Sequence, residues 1–79
     1  MDKNQLEQQI LGFFAVTYGK NISELTLDTN IKEELSPQSM LMVALVSHIE
    51  NELDVMIALP ETSKFKVIRD VVDMVEKML

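Results

Sequence analysis

The chain has 79 residues, no Cys, and thirteen acidic against seven basic side chains, for a net charge of −6. That length is one domain's worth, read as a single domain over residues 1–79, and leaves too little material for a deep catalytic cleft plus its scaffold, so an independent enzyme is not expected. The missing Cys removes disulfides and thiolate metal sites, and the negative charge repels a phosphate backbone and so excludes nucleic acid as a partner.

With 47% hydrophobic and 25% charged residues the composition is that of an ordinary folded domain. The longest apolar run, Met40–Val46, falls far short of the roughly 20 residues of a membrane span, so no membrane-spanning segment is expected. The amino end, Met1-Asp2-Lys3-Asn4-Gln5, has neither a basic-then-apolar signal nor an Arg-rich transit pattern. A cytoplasmic location is the resulting expectation, and the Asn21-Ile22-Ser23 glycosylation sequon then carries no weight.

In chain order, Asn4 with Glu7 three residues on resembles a capping box, and Leu6, Ile10, Phe13 and Phe14 recur at helical spacing. This predicts a first helix that stops at Gly19. Gly12 inside it costs about 1 kcal/mol relative to Ala, which implies either close packing or simple tolerance. From Lys20 to Leu35 the apolar residues Ile22, Leu25, Leu27, Ile31 and Leu35 lack a sustained period and lie among Asn, Ser, Thr and Asp. A long loop pinned by those five side chains is expected, because unpinned loops above about 12–15 residues are uncommon in compact domains.

Ser36-Pro37 is a strong helix start, the Ser as cap and the Pro at a position that requires no amide donor. The second helix is expected to run to about Asp54. At 100° per residue Met42, Leu45, Val46, Ile49 and Leu53 gather on one face, Met40, Ala44, Ser47 and Asn51 fall opposite, and Leu41 lies on the flank. Ile49→Asp should therefore unfold or severely destabilise the bundle, and Leu41→Asp should be tolerated in folding and alter partner choice. Val55–Phe65, with Pro60, has room for one or two helical turns. Ile68, Val71, Val72, Val75 and Leu79 then hold a 3.6-residue period, with Asp70, Asp73, Glu76 and Lys77 on the solvated side. The expected fold is all-α: a small bundle of three main helices plus a short helix in third position, with a long loop between the first two.

Few constellations carry chemistry. Ser39 and His48, the sole His, are the one hydroxyl–imidazole pairing available, but nine residues of helix place them about 900° and about 13.5 Å apart. His48 reads as a solvated surface residue. Asp28-Thr29-Asn30-Ile31-Lys32-Glu33 opens like a calcium loop but has Lys at the fifth position and Glu where Gly must turn the chain. Glu50, Glu52 and Asp54 read as a solvated helix end, and no metal site is expected. The segment Ile31–Met40 differs from these. A pinned loop ends in Leu35, a helix begins at once, and the Ser39 hydroxyl sits in its first turn, where a phosphodiester would meet the positive end of the helix dipole.

The whole arrangement resembles the acyl carrier protein family of phosphopantetheine-binding carriers. In that family a hydrophobic residue, a variable residue, two acidic residues and a Leu precede a Gly-x-Asp-Ser-Leu stretch. Here Ile31-Lys32-Glu33-Glu34-Leu35 is followed by Ser36-Pro37-Gln38-Ser39-Met40, with Ser39 in register. Ile49–Asp54 and the step from Lys64-Phe65 into Val67–Val75 look like the family's second-helix end and last helix. The resemblance implies that Ser39 carries a 4'-phosphopantetheine arm donated by coenzyme A through a separate phosphopantetheinyl transferase. It also implies that the arm presents acyl thioesters to acyl-transferring or synthase enzymes in fatty acid, polyketide or related synthesis, and a monomer is expected. An aminoacyl or peptidyl carrier and an unmodified carrier-like adaptor are the competing readings.

Three residues depart from the pattern: Ser36 stands for Gly, Gln38 for Asp and Met40 for Leu. Where family members commonly place acidic residues on the outer face of the second helix, this chain has Leu41 and Ala44. Residues 36–49 carry no formal charge, against −3 for residues 1–35, −4 for 50–61 and +1 for 62–79. Gln38, Met40, Leu41, Val43 and Ala44 are the expected partner-docking positions, acting largely through apolar contact.

Overall fold

The computed structural model describes residues 2–35 and 39–79, with Ser39 by its backbone alone. Among these residues the helices are α1 (Lys3–Tyr18), α2 (Ser39–Leu53) and α3 (Ile68–Met78). A 3-10 turn at Ile22–Glu24, a π-helical turn at Ile31–Leu35 and a 3-10 helix at Leu59–Lys64 connect them. This is the expected all-α bundle, its short third-position helix wound as 3-10. The expected cap at Ser36 and the helix start at Pro37 lie outside the described residues.

α1 opens earlier than the expected cap at Asn4. The Gln5 amide donates to the Asp2 carboxylate at 2.8 Å and the Asp2 amide donates to the Gln5 side-chain oxygen at 3.3 Å. This reciprocal pair satisfies two of the amides a helix start leaves unpaired, and it recruits Lys3 and Asn4 into the helix itself. The other end closes at Gly19, whose left-handed backbone (φ 67°) suits a residue without a Cβ. A Cβ added at Gly12 would meet nothing within 4 Å, so that glycine is tolerated rather than needed for packing.

α1 packs against both α2 and α3. Lys3 Nζ lies 4.0 Å from Asp73 and 3.8 Å from Glu76, so the start of α1 faces the end of α3 and the two helices run antiparallel. The core between the helices holds Ile10 and Phe14 of α1, Leu45 and Ile49 of α2, and Ile68, Val71, Val72 and Val75 of α3, all fully buried. Leu79 departs from its expected place. α3 ends at Met78, the 3.6-residue period ends with it, and Leu79 is 60% exposed.

The loop from Lys20 is pinned, though by fewer side chains than expected. Leu25 and Ile31 are buried and Leu27 and Leu35 pack against the core, whereas Ile22 is exposed on its 3-10 turn. Backbone hydrogen bonds do the rest. Ile68 and Arg69, at the start of α3, donate to the carbonyls of Thr29 (3.2 Å) and Leu27 (2.8 Å), and Ile31 donates to the Lys66 carbonyl at 2.9 Å. The loop therefore accepts from two of the amides that α3 would otherwise leave open. The Asp70 carboxylate accepts from the Lys66 and Val67 amides at 2.9 and 3.1 Å and closes the same junction from the other side. Buried Thr29 turns its hydroxyl oxygen inward to accept from the Thr26 amide at 2.8 Å.

Candidate functional site

The start of α2 is preceded in the chain by an anchored turn. Beyond the loop–α3 junction the chain enters the π-helical turn Ile31–Leu35, which has its own cap. The Asn30 amide donates to the Glu34 carboxylate at 2.6 Å and the Glu33 amide donates to the Asn30 side-chain oxygen at 3.0 Å. Ile31 is buried and Leu35 is anchored on the core, so both ends of the turn are held. Four residues further along, α2 begins at Ser39.

The described first turn of α2 holds no acidic side chain. A phosphodiester at Ser39 would thus meet no carboxylate within that described turn. Met40, next in the chain, is 81% exposed, and Val43 is 45% exposed one turn on. Ala44 is exposed beside them. Leu41 is half-buried on the flank, where the helical spacing placed it. Gln38 lies outside the described residues.

Other candidate residues fall elsewhere. His48 is half-buried instead of solvated, its ring centroid 4.6 Å from that of Phe13 at a tilt of 47°. Turned toward α1, it is engaged with an aromatic ring. Asp28 of the calcium-like segment pairs with Arg69 at 3.0 Å, and this contact, with further attraction from Asp28, Asp73 and Glu7, raises the guanidinium's already high pKa. Glu50, expected at a solvated helix end, has a structural partner: its carboxylate accepts from the Ile57 amide at 2.8 Å. That bond closes the reversal after α2, where Asp54 takes a left-handed backbone (φ 55°), a conformation Asp tolerates better than most residues. The periodicity of α2 gave no signal for it, because the partner is an amide seven residues away in a non-repeating segment.

Among the described residues no group of three or more His, Cys, Asp or Glu side chains converges as a metal site would require, and no helix is long and apolar enough to cross a membrane. A surface depression of about 580 Å³ runs along α1 between Asn4, Gln5, Gln8 and Gln9. These uncharged amides supply no nucleophile and no acid–base pair, so its size does not make it the reactive site.

No protein-family model matches the chain. Curated proteins do. An acyl carrier protein of Rickettsia bellii (strain RML369-C) is 30% identical over 74 residues, which cover 94% of this chain and 86% of the relative. One from Exiguobacterium sibiricum is 30% identical over 76 residues, 96% of each chain, and one from Exiguobacterium sp. (strain ATCC BAA-1283 / AT1b) is 28% identical over the full length of both. Relatives of this kind span the three helices and the segment around Ser39 alike, and the chain belongs to the acyl carrier protein family.

Proposed function

We propose that Ser39 is the attachment point of a 4'-phosphopantetheine arm and that this protein holds acyl groups there as thioesters for fatty acid, polyketide or related synthesis. The observation that carries the reading is the position of Ser39 at the opening of α2, behind a capped and anchored turn and beside an exposed Met40. The bound arm supplies a thiol, which this Cys-free chain lacks. On this reading the chain supplies the attachment hydroxyl at the first residue of α2, has no acidic side chain in the described first turn, and offers Met40, Val43 and Ala44, with Gln38 and Leu41, as the surface that meets partners. Those partners are a phosphopantetheinyl transferase, which draws on coenzyme A, and then acyl-transferring or synthase enzymes. The protein serves them as a carrier rather than a catalyst, and we place it in the cytoplasm as a monomer. Family membership favours an acyl carrier over an aminoacyl or peptidyl carrier and over an unmodified adaptor.

The test is intact-mass measurement after incubation with coenzyme A and a broad-specificity phosphopantetheinyl transferase. One phosphopantetheinyl adduct is expected on the wild type and none on Ser39→Ala. An adduct that persists in the Ser39→Ala variant, or no adduct with several transferases, rejects the assignment.

A further inference from the structure

The outer face of α2 is uncharged well beyond the residues nearest Ser39. Opposite the core residues Leu45 and Ile49, the exposed positions are Met40, Val43, Ala44, Ser47 and Asn51. At 1.5 Å per residue this stripe runs about 16 Å along the helix. The chain around it is strongly acidic, so the stripe is a neutral window in a molecule of net charge −6. Its two nearest acidic neighbours along the helix lie at its far end and point away from its centre: the Glu50 carboxylate is turned toward the Ile57 amide beyond the end of α2, and Glu52 projects about 100° or more from the stripe's centre toward the flank. The stripe is graded as well, with thioether and aliphatic groups at the Ser39 end and hydroxyl and amide groups at the far end.

We infer that this stripe selects partner enzymes whose carrier-binding face is itself uncharged, apolar opposite Met40 and Val43 and neutral hydrogen-bonding opposite Ser47 and Asn51, and that it rejects faces centred on Lys or Arg. This rests on the carrier reading of Ser39 and adds to it a rule of partner choice. Charge complementarity sets the rule. A Lys or Arg pressed against Val43 and Ala44 would lose its water and find no carboxylate in exchange, and a buried unpaired charge costs more than apolar contact returns. An apolar face loses nothing of the kind and gains the area of Met40, whose flexible thioether adapts to more than one surface. The acidity elsewhere on the chain then steers partners only weakly at working salt, because exposed charges more than about 8–10 Å from the contact are largely screened.

The experiment is a charge scan in both directions. Ala44→Glu, Ala44→Lys, Val43→Glu and Val43→Lys are loaded at Ser39 by a phosphopantetheinyl transferase that accepts the wild type, with kcat and KM followed by intact mass at about 50 mM and about 300 mM salt. Val16→Glu and Val16→Lys, on an exposed position of α1, control for net charge. Circular dichroism checks that each variant is folded. The expected result is that either sign of charge on the stripe raises KM about tenfold or more with kcat little changed, while the Val16 variants and added salt leave the wild-type KM within about twofold. Improvement by Glu with loss by Lys, together with a steep salt dependence, would mean a basic partner face and would overturn the inference while leaving the carrier reading intact. Wild-type protein that sediments as a dimer, and as a monomer once a charge enters the stripe, would make a second copy the occupant and would also overturn it. Failure of Ser39 to load in every folded form would remove the carrier reading and this inference together.

Discussion

α2 and α3 are both apolar helices packed on α1, yet they use their apolar side chains differently. α3 places Ile68, Val71, Val72 and Val75 in the core and, Met78 at its last position apart, leaves charged residues such as Arg69, Asp73, Glu76 and Lys77 on its exposed side. α2 places Leu45, Val46, Ile49 and Leu53 in the core and then has apolar residues left over, Met40 and Val43, which water sees. Solubility favours the first pattern, and folding alone explains nothing about the second. The surplus lies beside Ser39, so α3 is a wall of the bundle, while α2 is the wall that we propose also meets partners.

The sharpest way to break that comparison is to put one charge on each face of α2. Ile49→Asp buries an unpaired carboxylate and is expected to cost at least about 4 kcal/mol, enough to unfold a domain with a total stability of about 5–15 kcal/mol. Val43→Asp on the outer face should stay within about 0.5 kcal/mol of wild type, and Leu41→Asp, half-buried, should fall between them. Urea denaturation followed by circular dichroism measures all three. Equal losses at Ile49 and Val43 would mean that α2 has no free face.

The Glu50 carboxylate offers a smaller effect that concerns the exit of α2. Glu50→Ala leaves the Ile57 amide without its acceptor and should cost about 1–3 kcal/mol, whereas Glu50→Gln, which keeps an oxygen acceptor, should retain most of the stability. Identical midpoints for the two variants would show that the bond contributes nothing.

The shared wall, α1, provides two stabilising changes. The Tyr18 hydroxyl is buried without a hydrogen-bond partner among the described residues, its ring stacked on Phe14 at a centroid distance of 5.8 Å. Burial raises its pKa above the ordinary 10.0. Because the folded state holds this proton more tightly than the unfolded chain does, stability should be unaffected by this group below pH 10 and should fall as the pH rises above it. Tyr18→Phe should abolish that alkaline decline and raise stability by about 1 kcal/mol at neutral pH. Gly12→Ala, with open space for the methyl group, should add somewhat less than about 1 kcal/mol through helix propensity, read as a rise in melting temperature. A loss in either variant would mean that α1 is packed more tightly there than its surroundings indicate.

Much of this arrangement was legible in the residues. The period of α3, the core face of α2 and the stop at Gly19 are local patterns whose physical causes, side-chain direction and left-handed backbone, act over a few residues. Ser39 was legible only as part of the longer resemblance, since an isolated Ser in a first helical turn is an ordinary polar residue. What could not be read depends on contacts between distant segments. The start of α3 is capped by loop carbonyls some forty residues earlier in the chain, the Glu50 carboxylate reaches past the end of its own helix, and His48 is drawn against Phe13 when α1 and α2 pack.

By itself the sequence determined the class of the fold, the helices and the faces they bury, because period and composition set what each segment can hide from water. It also determined that residues 36–49 carry no charge. Only the tertiary structure decided which leftover apolar groups remain exposed. Burial is a property of what packs opposite: Leu41 is partly covered, whereas Met40 and Val43, on the same helix and of similar hydrophobicity, are left exposed by the described elements.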